Sequence, residues 1–160
     1  MPRWLSRWPF GLSLLVVTMT RESPAQHPSD TLLAVLPSAI TGWRSGRTPG
    51  VESVALYRSP PAAGPYVART RFQPGAGLGP HYHDSTVTIT VIGGRFLLGI
   101  GSAIDTSAAR AYPSGSFLVL PAGTPHYEWG EGETVIQLSG NGPMGFSRIP
   151  AAGSVSPARP

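Results

Sequence analysis

Short apolar runs separated by turn-forming residues most constrain the fold of this chain. Its 160 residues include 20 glycines and 18 prolines, which fall between the apolar runs without a repeat period. Short runs rich in Val, Ile, Leu, Phe or Tyr and bounded by Gly, Pro or Ser are typical of β-strands. We predict strands over residues 51–58, 66–72, 86–92, 95–100, 116–120 and 134–138. Many short strands at this spacing indicate an all-β sandwich or barrel.

The sequence divides into four segments around one domain of ordinary size. Residues 1–25 form a predicted signal peptide, and residues 26–50 a lead-in with a short strand or helix followed by a loop. The barrel is expected over 51–150, with a loose tail over 151–160. Residues 102–113 have some helical character, but we interpret them as a loop between two hairpins.

The N-terminal segment predicts export. Arg3 and Arg7 precede the apolar run 10–19, and Ser23 and Ala25 are the small residues that a signal peptidase requires. The run is too short to span a bilayer comfortably, so we expect a secreted or periplasmic protein without a stable membrane anchor. The alternative is an N-terminal helix packed on the domain. Because the chain has no cysteine, we expect neither disulfides nor thiolate ligands.

The charge pattern argues against a nucleic-acid partner. All twelve basic residues are arginine, and three of them lie in the predicted signal peptide. The remaining nine oppose seven acidic residues, a net charge of +2, and they do not cluster. A polyanion-binding surface would require a basic patch or stripe.

Three of the four histidines lie in two spaced motifs, and the fourth, His27, lies outside them. The first motif is G-x5-H-x-H over 75–83 and the second is G-x5-P-x-G-x2-H over 115–126. Residues two apart on a strand face the same side, so His81 and His83 would point together. His126 on a neighbouring strand would complete a set of three nitrogen ligands. Such a set suits a divalent transition metal (Fe, Zn, Mn, Ni or Cu) and leaves positions for water or substrate.

These two motifs, in this order, resemble those of the cupin superfamily. The second matches the family pattern at every Gly, Pro and His, and residues 115–143 also look like a group of small bacterial cupins. The resemblance covers about residues 50–150. It implies a jelly-roll β-barrel, often a homodimer, that holds a metal deep inside and takes a small-molecule ligand or substrate.

The first motif departs from the family pattern, which has a glutamate ligand four residues after the second histidine. This position is Val87, and an alternative register would place Thr88 there. The family's Asn after the last histidine is replaced by Gly130. Glu128 is a candidate fourth ligand, since it faces the interior if its strand continues regularly beyond His126. We favour the alternative that Glu128 is an exposed polar residue of the following turn.

The alternation of side chains between the two faces of a strand also predicts where other side chains lie. Tyr82, Asp84 and Tyr127 should point away from the metal, and Trp129 is either core or pocket wall. The predicted core residues are Phe96, Leu98, Phe117, Val119 and Ile136.

Three functions are compatible with these residues. The first is a metal-dependent enzyme, an oxygenase acting on a small molecule, with Glu128 as the one candidate general base near the histidines. The second is a non-catalytic module that binds or senses a small molecule. The third is a structural barrel that retains the histidines without a function for them. A barrel fold by itself does not choose among them.

Overall fold

The computed structural model describes residues 33–150, where strands and turns dominate. The predicted signal peptide, the first residues of the lead-in and the predicted tail lie outside the described residues. One short 3-10 helix, Pro37–Ala39, precedes eleven strands. The strands are β1 (Arg44–Ser45), β2 (Val51–Tyr57), β3 (Gly64–Phe72), β4 (Gly77–His83), β5 (Val87–Gly93), β6 (Arg95–Ile100), β7 (Arg110–Pro113), β8 (Phe117–Leu120), β9 (His126–Gly130), β10 (Thr134–Gly142) and β11 (Phe146–Arg148). The all-β prediction is confirmed.

The strands form two antiparallel sheets. The six-stranded sheet has the order β1-β2-β3-β10-β5-β8, and the five-stranded sheet the order β11-β4-β9-β6-β7. The chain passes from one sheet to the other between β5 and β6 at Gly94, whose φ of 80° lies in the left-handed region. A Cβ at Gly94 would also collide with the backbone oxygen of Glu133. Glycine is therefore required at this crossing.

Alternation along the strands builds the core. On β5, Val87, Ile89 and Val91 are buried, while the residues between them are more exposed. Across the core, the rings of Phe72 on β3 and Phe96 on β6 lie 6.0 Å apart. The core therefore joins the two sheets, as expected for a jelly roll.

The predicted core residues Phe96, Leu98 and Ile136 are buried, but the prediction is wrong for the two on β8. Phe117 is 64% exposed and Val119 is 57% exposed. They pair with Thr90 and Thr88 of β5, which point to the outer face, whereas Leu118 and Leu120 pair with inward residues. The register of β8 therefore turns Phe117 and Val119 outward, opposite to the predicted direction of their side chains.

Several short strands were not expected from the sequence. The predicted loop 102–113 ends in β7, which pairs with β6 from Arg110 to Pro113. The rest of the loop is a turn in which the Asp105 carboxylate accepts hydrogen bonds from the backbone N–H groups of Ser107 and Ala108. Within residues 33–150, no helix is long and apolar enough to cross a membrane.

Candidate metal centre

Two adjacent strands of the five-stranded sheet bring the three motif histidines together. His81 and His83 lie on β4, and His126 begins β9 directly opposite His81. All three side chains are buried. Their candidate ligand atoms lie within 4.8 Å of one another, as the sequence predicted for these three residues.

Backbone carbonyl groups fix the orientation of the three imidazoles. Each Nδ1 lies within hydrogen-bonding distance of a carbonyl oxygen: 2.8 Å from His81 to Gly79, 3.2 Å from His83 to Gly145 and 2.9 Å from His126 to Thr124. A carbonyl only accepts, so each neutral ring donates its Nδ1 proton and keeps the lone pair on Nε2. The Nε2 atoms of His81 and His126 are buried and have no hydrogen-bond partner. The donor set therefore fits a metal ion, which would satisfy these atoms.

Burial keeps the imidazoles neutral. Desolvation, reinforced by the neighbouring charge of His126, lowers the pKa of His81 to about 3. Desolvation also lowers the pKa of His126 to about 4 and lowers that of His83. Because a metal binds only deprotonated imidazole, the three rings are available as ligands at neutral pH.

Glu128 is buried inside the barrel, which contradicts the interpretation we favoured from the sequence. Strand β9 continues to Gly130 before the turn begins, so Glu128 keeps the inward direction of His126 and is only 6% exposed. Burial raises the pKa of its carboxyl to about 8. Glu128 is not among the three side chains whose ligand atoms lie within 4.8 Å of one another. Metal ligation by Glu128 stays a prediction.

The position of the absent family glutamate belongs to the apolar core. Val87 is fully buried in it. Thr88 faces the other way, and its hydroxyl donates to the backbone oxygen of Ser139. Within residues 33–150, the cluster contains no carboxylate. The histidine set is therefore neutral.

A loop supports His83 in a way the sequence did not reveal. Asp84 is exposed, as expected, and its carboxylate accepts a hydrogen bond from the Gly145 N–H at 2.5 Å. The carbonyl of the same Gly145 accepts from His83. A Cβ at residue 145 would collide with the Asp84 carboxylate. Asp84 thus positions the loop that orients a candidate ligand.

A cavity of about 640 Å³ reaches His81 and His83. Its walls are largely apolar and include Leu78, Leu138 and Met144. The ring of Phe146 stacks on His81, with centroids 4.4 Å apart and an interplanar angle of 25°. The cavity thus gives a small molecule access to the histidines between apolar walls.

The aromatic residues beside the ligands point away from this cavity. Tyr82 is exposed, whereas Tyr127 is buried and donates its hydroxyl proton to the backbone oxygen of Asp105. Trp129 stacks on Tyr127 with centroids 6.3 Å apart and does not line the cavity. The side chain of Trp129 therefore packs on the outer side of this sheet.

Comparison with known proteins identifies the family. A family model described as Cupin matches residues 62–145, more than half of the chain. The chain belongs to the cupin family. This cupin shares its fold with the polyketide cyclase RemF from Streptomyces resistomycificus, at a TM-score of 0.58 and 18% identity over 76% of this chain and 89% of RemF. No curated protein matches its sequence.

Two further solved structures resemble this cupin. Salicylate 1,2-dioxygenase from Pseudoaminobacter salicylatoxidans with gentisate has a TM-score of 0.53 and 13% identity, over 65% of this chain but only 30% of the dioxygenase. KdgF from Halomonas sp. has a TM-score of 0.49 and 22% identity, over 62% of this chain and 86% of KdgF. At 13% and 18% identity, the likeness to the dioxygenase and to RemF shows the fold alone.

Proposed function

We propose that this cupin is a metal-dependent enzyme, an oxygenase, that acts on a small molecule at a divalent transition metal held by His81, His83 and His126. The observation that carries the proposal is the pair of buried Nε2 atoms without partners, on rings whose Nδ1 protons are donated to the backbone. Leaving such atoms unpaired in a protein interior is costly. When bound, the metal supplies the Lewis-acid or redox chemistry that such an enzyme needs.

The residues around the cluster would bind the substrate and exclude water. Leu78, Met144 and Phe146 line the cavity beside the histidines, and low polarity strengthens each electrostatic contact made there. Glu128 also lines the cavity, and in the metal-free chain burial raises the pKa of its carboxyl to about 8. A neutral carboxyl can donate a hydrogen bond or a proton to a substrate oxygen. Glu128 is therefore our candidate general acid.

A second candidate function is non-catalytic binding or sensing of a small molecule. The observation that favours it is the apolar environment of Val87, which leaves the histidine set without an anionic ligand. A neutral set holds a divalent cation less strongly than a set with a carboxylate. Such a site could exchange its metal, or bind a ligand without converting it.

Metal analysis followed by a turnover screen separates these functions. The purified full chain is reconstituted with Fe²⁺, Zn²⁺, Ni²⁺ or Mn²⁺, and bound metal is measured by elemental analysis. We expect close to one metal per chain, loss of the metal in His81→Ala and His126→Ala, and no loss in the control His27→Ala, which removes the histidine outside the motifs.

Oxygen consumption is then screened with small aromatic and diketone compounds. Turnover that requires bound metal supports the enzyme, whereas bound metal and a bound compound without turnover support the binding module. Absence of metal after reconstitution with all four ions would overturn the metal site itself.

Export and dimerisation are further parts of the proposal. The signal-like pattern of residues 1–25 supports export, which N-terminal sequencing of the protein from a periplasmic fraction would test. The exposed Phe117 and Val119 on the edge strand β8 support a homodimer. Sedimentation equilibrium would test it: we expect a dimer that Phe117→Arg weakens, and a monomeric parent chain would contradict it.

A further inference from the structure

An arginine lies directly beside the histidine cluster in the sheet. Strand β11 pairs with β4, so that Arg148 is opposite His81 and Phe146 is opposite His83. Residues directly opposite each other in an antiparallel pair project to the same face. Arg148 and Phe146 both line the cavity, as this register requires. The end of β11 therefore forms one edge of the cavity mouth.

The guanidinium of Arg148 has N–H donors that are free to bind a ligand. Its Nη2 donates to the Thr48 hydroxyl at 3.0 Å, and its central carbon lies 5.8 Å from the centroid of the Phe146 ring. The two ion pairs found among residues 33–150 join Arg71 to Glu52 and Arg95 to Glu131. Arg148 thus has no carboxylate partner in this part of the chain, although a guanidinium has five N–H donors.

The cavity is positive at its mouth and apolar in its walls. Arg47 and Arg148 line it, both exposed to solvent, whereas Leu138 and Met144 lie among its walls. Burial is the main reason for the low pKa of His81, and the charge of Arg148 is a smaller contributor, which is consistent with their proximity. An anionic group at the mouth would be attracted by both arginines.

We propose that the cavity takes a small organic acid, whose carboxylate is bound by Arg148 while its apolar or aromatic body lies against Phe146 and Met144. A planar guanidinium matches a carboxylate in a two-point, charge-assisted hydrogen bond. The cavity volume of about 640 Å³ is in the range of small-molecule sites. This inference rests on the proposed function, for which it names the substrate class.

Binding of acid and amide pairs tests the inference. The metal-loaded full chain is titrated calorimetrically with benzoate and benzamide, phenylacetate and phenylacetamide, and pyruvate and pyruvamide. We expect at least one acid to bind about tenfold or more tightly than its amide. Arg148→Gln should abolish the preference, and Arg148→Lys should keep part of it by retaining the charge. The control is Arg110→Gln, an exposed arginine on β7 at the opposite edge of the same sheet.

Several results would overturn the inference. These are equal binding of every acid and its amide, equal effects of Arg148→Gln and Arg110→Gln, or phenyl phosphate binding more tightly than every carboxylate. Elemental analysis of the same samples distinguishes the two proposals. Metal without an acid preference overturns the substrate class and leaves the metal site standing. An acid preference that depends on Arg148 in a chain unable to bind metal supports recognition by Arg148 and overturns the metal-dependent enzyme.

Discussion

The two sheets present different chemistry to the same interior. The inner face of β5 in the six-stranded sheet consists of Val87, Ile89 and Val91, whereas β4 and β9 of the five-stranded sheet bury three histidines and Glu128. Both sheets obey the same two-residue alternation. Burying apolar side chains stabilises the fold, but burying polar groups without partners costs free energy. The inner face of β5 therefore supports stability, and the inner face of β4 and β9 provides the histidines of the site.

Introducing a carboxylate into the apolar face should have the largest effect. We expect Val87→Glu to lower the free energy of unfolding of the metal-free chain by about 4 kcal/mol, because the side chain is fully buried. If residue 87 also reaches the cluster, Zn²⁺ should raise the melting temperature of Val87→Glu more than that of the parent chain or the uncharged control Val87→Gln. Equal Zn²⁺ effects in all three chains would show that residue 87 does not reach the metal.

A cavity in the apolar face should reduce stability without affecting the metal. Ile136→Ala removes part of a fully buried side chain, so we expect a loss of about 3 kcal/mol in urea unfolding. Metal bound per folded chain should be unchanged. Ile92→Ala, which truncates an exposed isoleucine on β5 of the same sheet, is the matched control and should cost about 1 kcal/mol or less. Equal losses in the two variants would contradict the assignment of inner and outer faces.

Acid should destabilise the metal-free chain through its histidines. The folded pKa values of His81 and His126 lie at about 3 and about 4, below the ordinary value of 6.5. Their stabilising contribution is therefore fully present above pH 6.5 and is lost as pH falls toward these values. We expect these two histidines to make the metal-free chain about 2 kcal/mol less stable at pH 5.5 than at pH 6.5, measured by urea unfolding in the Glu128→Gln background, which removes the opposite contribution of Glu128. If stability falls equally steeply with pH after His126→Gln is added, His126 does not contribute to the acid destabilisation.

Glu128 should produce the opposite pH dependence. Its folded pKa, about 8, is above the ordinary 4.5, so the carboxyl releases its proton more readily when the chain unfolds. Its contribution to stability is present below pH 4.5 and is lost as pH rises through about 8. Between pH 6 and 7 we expect a loss of about 1 kcal/mol in the metal-free parent chain, relative to Glu128→Gln. Parallel pH profiles of the two chains would show that Glu128 does not contribute to the pH dependence of stability.

Much of the fold and the clustering of the three histidines could be predicted from the sequence, because the evidence was local. The six predicted strands are rich in apolar residues, and the spacing of His81 and His83 places both on one face of a strand. Strand β4 is not among the six predicted strands, because its sequence GLGPHYH contains no β-branched residue. Its pairing with β9 and β11 holds it in the sheet nonetheless.

The errors concern information that only long-range pairing provides. All four residues of β8 are apolar, so alternation could not show that Phe117 and Val119 face outward; the register with β5 decides it. For Glu128, the sequence did not show where β9 ends and the turn begins. Arg148 lies on a three-residue strand, and its place beside His81 depends wholly on the pairing of β11 with β4.

X-ray absorption spectroscopy of the Zn²⁺-loaded full chain would identify the atoms bound to the metal. We expect about three imidazole nitrogens bound to Zn²⁺ at about 2.0–2.1 Å, with the multiple-scattering signal of imidazole rings. The remaining positions should be filled by oxygen. His81→Ala, if it retains any metal, should show fewer imidazoles. A first shell consisting of oxygen alone, or the same imidazole count in His81→Ala as in the parent chain, would contradict the three-histidine centre.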